Sequence, residues 1–215
     1  MKYYVFSPRG RTGSKRIVGL LGGKYKFTIM NNEYFKDNRK DVGRQLNDAE
    51  DGDVVHSHFL LLPKNLEDWT IILTQRKSKA EQIMSFAISE KLLDGYNVGR
   101  FSQTIEPFSL DEETVKAELE KIKNEYQSFY DTMNVLNKSY VTIDMENTLE
   151  EISEKLPIKH DKEIASELDV RHKSKHNYKD IITNYQEIFN WCGEVSGKHL
   201  TLNLFDKVSN FDNRG

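Results

Sequence analysis

The sequence predicts an α/β domain in three layers, a central and mostly parallel sheet flanked by helices. Three observations carry that expectation. Short strand-like runs recur along the chain at Tyr3–Phe6, Lys24–Met30, Val54–Val55, Trp69–Thr74 and Tyr140–Ile143. Helical patterns separate most of them, the alternation that builds α/β layers rather than segregated sheets and bundles. The run Trp69–Thr74 (WTIILT) is β-branched and apolar at both parities, as a strand covered on both faces has to be.

With 215 residues the chain is long enough for one sizeable core, and it reads as a single domain over 1–215. Its 31 Lys and Arg against 34 Asp and Glu leave a net charge of -3, which argues against a general nucleic-acid binder. The single cysteine, Cys192, permits no intrachain disulfide and suits a reducing compartment. No apolar run approaches the length of a membrane span, and the first strand begins too early to leave room for a leader. The expectation is a soluble, cytoplasmic protein without a membrane partner.

The elements follow in order. Tyr3–Phe6 is a strand, residues 8–15 a loop rich in Gly and Arg, and Ile17, Val18, Leu20 and Leu21 fall at helical spacing. Residues 31–50 are polar, with a helix expected around Phe35–Leu46, and Asp51-Gly52-Asp53 is a turn. Ser78 with Glu81 forms a capping box ahead of the stripe Ala80, Ile83, Met84, Ala87, Ile88 and Leu92. Ser109 with Glu112 forms a second, opening a long amphipathic helix whose apolar positions are Val115, Leu119, Ile122, Tyr126, Phe129, Met133 and Leu136. Thr148 with Glu151 caps a short helix, and Asn177 caps one over Tyr178–Trp191. Residues 157–177 are charged and loop-like, and the tail has an amphipathic middle at Leu200–Phe205.

In parallel sheets ligands bind beyond the carboxyl ends of the strands, and the chemically distinctive residues fall there. After the first strand come Arg9, Gly10, Arg11, Thr12, Gly13, Ser14, Lys15 and Arg16. Backbone N–H groups converging at a helix N-terminus make a cradle for a phosphate or sulfonate. The spacing is not that of the nucleotide-triphosphate loop, which requires Gly, four residues, then Gly-Lys-Ser/Thr; an ordinary strand–helix turn with solvated arginines is the plain alternative. His56 and His58 are expected to follow the strand Val54–Val55, and Arg76-Lys77 to follow Trp69–Thr74.

Taken together and in order, these segments resemble the sulfotransferases that use 3′-phosphoadenosine 5′-phosphosulfate (PAPS). Arg11-Thr12-Gly13-Ser14-Lys15 is similar to the family's 5′-phosphosulfate loop, with Lys15 where Thr is usual and Pro8 displaced upstream. His56-Ser57-His58-Phe59 with Leu62-Pro63 resembles the segment carrying its catalytic base, His56 standing in place of Lys. Arg76, or Lys77, with Ser85 resembles its 3′-phosphate clamp, and Ile143-Asp144-Met145-Glu146 is a weaker echo of a further strand end. The late Gly-x-x-Gly-x-Trp-Lys element is absent; the basic segment 171–179, including Lys173, stands in its place.

The resemblance implies a P-loop-like sulfotransferase fold and transfer of a sulfuryl group from PAPS to a hydroxyl or amine, releasing adenosine 3′,5′-bisphosphate (PAP). His58 would be the general base and Arg11 would neutralise the leaving phosphate. Arg9, Arg11, Thr12, Gly13, Ser14, Lys15, Arg76, Lys77, Ser85 and Lys173 would bind the donor, and no metal is required. The partner would be a small-molecule or glycan acceptor. His172 and His176 have a spacing that zinc ligands use, but no cysteine or acidic pattern completes such a site. Two other functions remain open at this point: a magnesium-dependent phosphotransferase with Asp144 as the metal-organising carboxylate, and a non-catalytic scaffold binding an anion or a protein through the 109–138 helix.

Overall fold

The computed structural model describes residues 1–22, 25–29, 46–92, 106–156, 158 and 178–195. In chain order the elements are β1 (Lys2–Phe6), α1 (Ser14–Leu21), β2 (Tyr25–Ile29), β3 (Val54–Ser57), β4 (Trp69–Gln75), α2 (Lys79–Leu92), α3 (Glu112–Val135), β5 (Val141–Asp144), α4 (Leu149–Lys155), α5 (Tyr178–Ile181) and α6 (Tyr185–Trp191). They fall into two compact units, one of Met1–Arg76 with Glu120–Lys175, the other of Lys77–Leu119 with His176–Gly215.

The first unit holds a five-stranded sheet in the order β2-β3-β1-β4-β5, parallel at every pairing. Strand parity sorts its side chains. Tyr3 and Val5 of β1, Val54 of β3, Ile72 of β4 and Ile143 of β5 pack with Ile17 and Leu20 of α1 and Ile152 of α4. The alternate residues of β1 face the other way, where Phe6 stacks on Phe129 of α3 with ring centroids 5.3 Å apart. The sheet thus carries helices on both faces, and β1 and β4 are apolar at both parities because neither face meets water. On α3, Val115, Leu119, Ile122, Tyr126, Phe129 and Met133 are all buried, as their spacing predicts, while Leu136 lies past the helix end and is exposed.

The chain leaves β1 toward one edge of the sheet and leaves β4 toward the other. The connections therefore part between these two neighbours, the switch point outside which α/β sheets leave a crevice for ligands.

In the second unit, Ser78 caps α2 as expected: the Glu81 N–H donates to Ser78 Oγ at 3.0 Å. The carboxylate of Glu194 joins it unforeseen, accepting from Ser78 Oγ at 2.6 Å and from the Lys79 N–H at 2.7 Å, so the positive end of the helix faces a negative charge. Burial on α2 is wider than the predicted stripe, taking in Gln82, Ser85 and Ser89.

Three expectations are corrected. The cap of α3 is Asp111, not Ser109: its carboxylate accepts from the Thr114 N–H at 2.7 Å and from the Thr114 hydroxyl at 2.8 Å. Leu110 cannot be helical because its N–H and C=O are both held by the Asn184 amide, at 3.1 and 2.7 Å. The helix expected over 178–191 is two short ones, α5 and α6. Between them Ile182 bridges Phe108, with the Phe108 N–H on Ile181 O at 2.8 Å and the Thr183 N–H on Phe108 O at 2.9 Å. The β-branched run Ile181-Ile182-Thr183 favours this extended pairing over a helical turn. Third, His56 and Ser57 lie within β3, so only His58 follows the strand.

Thr148 and Glu151 form the predicted reciprocal capping box. The expected helix around Phe35–Leu46 (apart from its last residue), His172, Lys173, His176, the Asn177 cap and the Leu200–Phe205 tail lie outside the described residues. Among the described residues no helix is long and apolar enough to cross a membrane.

Candidate anion-binding and proton-transfer site

The loop from β1 to α1 is wound in a way few sequences tolerate. Arg9, Gly10 and Arg11 take positive φ in succession (54°, 70° and 59°), and Gly13 does so again at 75°. For an L-residue the left-handed conformation costs roughly 1–2 kcal/mol, so Arg9 and Arg11 are held there by their surroundings. The Gly10 N–H donates to Ser7 O at 3.0 Å, and the Arg9 N–H to a carboxylate oxygen of Glu125 on α3 at 2.7 Å. Strain of this kind collects at ligand-binding turns.

Beneath the loop runs a chain of buried hydroxyls. Ser7 Oγ lies 2.6 Å from Thr12 Oγ1, which lies 2.7 Å from Thr74 Oγ1 of β4. Thr74 donates to Phe6 O at 3.2 Å, so it accepts from Thr12, and Thr12 accepts from Ser7. Thr12 thereby pins the loop across the β1–β4 switch point, and its hydroxyl is committed inward. What it offers a ligand is its backbone.

Helix α1 has Gly13 at its N-cap position, with no side-chain cap and no acidic residue in its first turn, where a capping oxygen is common. Among the described residues no hydrogen bond uses the N–H of Thr12, Gly13, Ser14 or Lys15. These are the groups an anion would bind. Gly13 is required twice over: its φ is positive, and a Cβ would come within 3.0 Å of Met145 Cγ. Arg16 turns away from the cradle, its guanidinium donating to the carbonyls of Met145 and Asn147 at 3.4 and 3.0 Å, while Lys15 is exposed.

His58 lies against this turn. A Cβ on Gly10 would stand 3.1 Å from its Cε1, and its Nδ1 is 2.9 Å from Ser7 O. A carbonyl only accepts, so Nδ1 carries the proton of the neutral ring, and Nε2 is left as a lone-pair base. Burial lowers the pKa of His58, the bond to Ser7 raises it, and Lys15, Arg11 and Arg9 lower it further. The segment behind it is fixed by Tyr4, whose buried hydroxyl donates to Phe59 O at 3.0 Å and accepts from the Leu61 N–H at 3.1 Å.

His56, one strand pleat away, is 1 % exposed. Its ring meets His58 edge-on at 4.6 Å between centroids, and neither of its nitrogens has a hydrogen-bond partner among the described residues. Burial, then His58, then Lys15 hold it well below the ordinary imidazole value.

Both histidines resist protonation in the folded chain more than in the unfolded one. Stability is therefore intact above the ordinary value near 6.5 and falls with pH below it, where only the unfolded chain takes up the protons. Urea midpoints should drop between about pH 7.5 and about pH 5.5, and His56→Phe should flatten that dependence. A midpoint that rises on acidification would contradict it.

The remaining candidates are placed differently. Arg76 directly follows β4 in the first unit, buried, its Nε 4.0 Å from a Glu146 carboxylate oxygen. Lys77 is exposed and Ser85 buried on α2, both in the second unit. Asp144 accepts from the Gln75 side-chain amide at 2.8 Å. Sequence reasoning did not single out Ser7, Thr74 or Glu125, which hold the loop, and it placed His56 beside His58 at the strand end without giving it a role. The burial of His56 had a signal in the sequence, its parity with the apolar Val54.

Fold and site together define an α/β protein with a strained, arginine-bearing turn at the carboxyl edge of a parallel sheet and a pair of histidines beside it. Comparison with protein-family models, curated proteins and solved structures finds no match to this chain.

Proposed function

We propose that the protein is a PAPS-dependent sulfotransferase with a P-loop-like fold, cytoplasmic, acting on a hydroxyl or amine of a small-molecule or glycan acceptor. The observation that carries the reading is the placement of His58: its proton-accepting nitrogen is left over by the Ser7 bond, and its ring touches the turn that precedes the unfilled N-terminus of α1.

Sulfuryl transfer asks for three things. The donor's phosphosulfate has to be held, the charge on the leaving phosphate neutralised, and the acceptor's proton removed. Backbone N–H groups of Thr12–Lys15 would hold the phosphosulfate, preorganised because the hydroxyl chain fixes the loop. Arg9, Arg11 and Lys15 supply positive charge around it, and Arg11 acts on the leaving oxygen. His58 Nε2 takes the acceptor's proton; the flanking cations and burial keep it unprotonated and ready at neutral pH. Arg76 would grip the 3′-phosphate. None of these steps calls on a metal.

Calorimetry with PAP against ATP and magnesium tests the reading. PAP should bind the more tightly, and removing its 3′-phosphate should weaken it. Tight ATP binding that requires magnesium and ignores a 3′-phosphate would favour the phosphotransferase reading with Asp144. Failure of every nucleotide to bind would favour the non-catalytic scaffold.

A further inference from the structure

A neutral imidazole carries one N–H to give and one lone pair to fill, and in His56 both are buried with neither satisfied among the described residues. An unmet buried polar group costs on the order of 1–3 kcal/mol, so a fold that keeps one needs a reason. Replacing the ring by an apolar residue would remove that cost, and the neighbouring Val5 and Val54 show that the position suits one.

The surroundings indicate what is missing. His56 shares its sheet face with α1, and the charged groups bearing on it are His58 from the segment after β3 and Lys15 from the first turn of α1. Behind His58 stand Arg11 and Arg9 of the strained loop. Among the described residues the N-terminus of α1 is uncapped, its first N–H groups are unused and the buried imidazole is unsatisfied, and one oxyanion could serve all three.

We propose that His56 is a proton-coupled ligand of the anion held at the N-terminus of α1: the ring is neutral in the free protein, takes one proton from solvent when a phosphate or sulfate oxyanion arrives, and donates an N–H to it. This deepens the sulfotransferase reading by giving the cradle a second histidine with a different task from His58, but it requires only an oxyanion, not PAPS. The proton balance is explicit. One proton moves from solvent to His56 on binding and returns on release, and no bond of the anion is made or broken.

Coupled uptake has a measurable consequence. Where one proton is bound with the anion, affinity tightens up to tenfold for each unit that the pH is lowered, until the ring of the free protein itself protonates. The experiment is calorimetry of the whole chain with inorganic pyrophosphate and with PAP, from about pH 8 to about pH 6, in buffers of differing ionisation enthalpy, which count the protons taken up. The expected result is uptake approaching one proton for wild type, and loss of that uptake in His56→Phe, which keeps the edge-on aromatic contact but has no nitrogen. Should His56→Phe not fold, His56→Asn serves, since it too cannot titrate. His58→Asn separates the rings: uptake that persists there belongs to His56.

If His56→Phe binds both probes with unchanged affinity and proton count, the inference is overturned while the sulfotransferase reading stands. If pyrophosphate binds with His56-dependent uptake but PAP gains nothing from its adenosine and 3′-phosphate, the inference holds and the sulfotransferase reading falls. If neither probe binds wild type, both fall.

Discussion

His58→Asn should fold normally and, on the proposed function, transfer sulfuryl groups about 10²–10⁴-fold more slowly, the usual contribution of a positioned general base. Asparagine is the informative replacement because its amide can still donate to Ser7 O, as Nδ1 of the imidazole does at 2.9 Å. The loop anchor survives, and only the lone pair at Nε2 is lost. PAP affinity should stay close to wild type, since the proposal rests donor binding on the N–H groups of Thr12–Lys15 and the surrounding cations. The check is a turnover assay with a radiolabelled sulfate donor and an acceptor panel, beside calorimetry on the same preparation. Loss of binding together with loss of turnover would assign His58 to holding the donor rather than to proton transfer. Unchanged turnover would remove it from the mechanism.

Phe129→Ala should cost roughly 3–5 kcal/mol of stability, the range for emptying a fully buried aromatic position. Phe129 is 0 % exposed, stacks on Phe6 of the central strand, and meets Tyr140 edge-on at 5.0 Å. The cavity would open where α3 packs on the sheet, one turn from Glu125, whose carboxylate holds the Arg9 N–H. The damage should therefore reach the anion loop, with PAP affinity falling alongside the urea midpoint. Glu125→Gln separates the two effects, because it keeps the packing and removes only the charge on the Arg9 N–H. A Phe129→Ala protein as stable as wild type would mean that α3 does not complete the core.

Much of the fold is legible in the chain because its signals are local. Trp69–Thr74 announces a doubly covered strand by composition, and the spacing from Val115 to Met133 fixes the buried stripe of α3. The Thr148–Glu151 box sets the start of α4 to the residue. Where the reading fails, a distant partner overrides local preference. Asn184 takes both backbone groups of Leu110 and moves the cap of α3 to Asp111. Phe108 draws Ile182 out of a helix. No window of sequence contains both members of either pair.

The site divides along the same line. Gly10, Gly13 and the arginines between them mark a turn, and the order of segments places His58 at the same sheet edge. That Thr12 spends its hydroxyl on Ser7 and Thr74, or that Glu125 reaches Arg9 from more than a hundred positions away, is a product of packing. The burial of His56 follows from β3 running to Ser57, beyond the two valines that a pattern of apolar residues identifies.

The central claim is that one anion seated at the turn before α1 lies against the free nitrogen of His58. It is tested most directly by recording the nitrogen resonances of the histidine side chains while PAP is added. The account predicts that His58 is protonated at Nδ1 at neutral pH, and that its Nε2 resonance moves in proportion to PAP occupancy. A His58 proton residing on Nε2, or a ring whose resonances ignore saturating PAP, would contradict it.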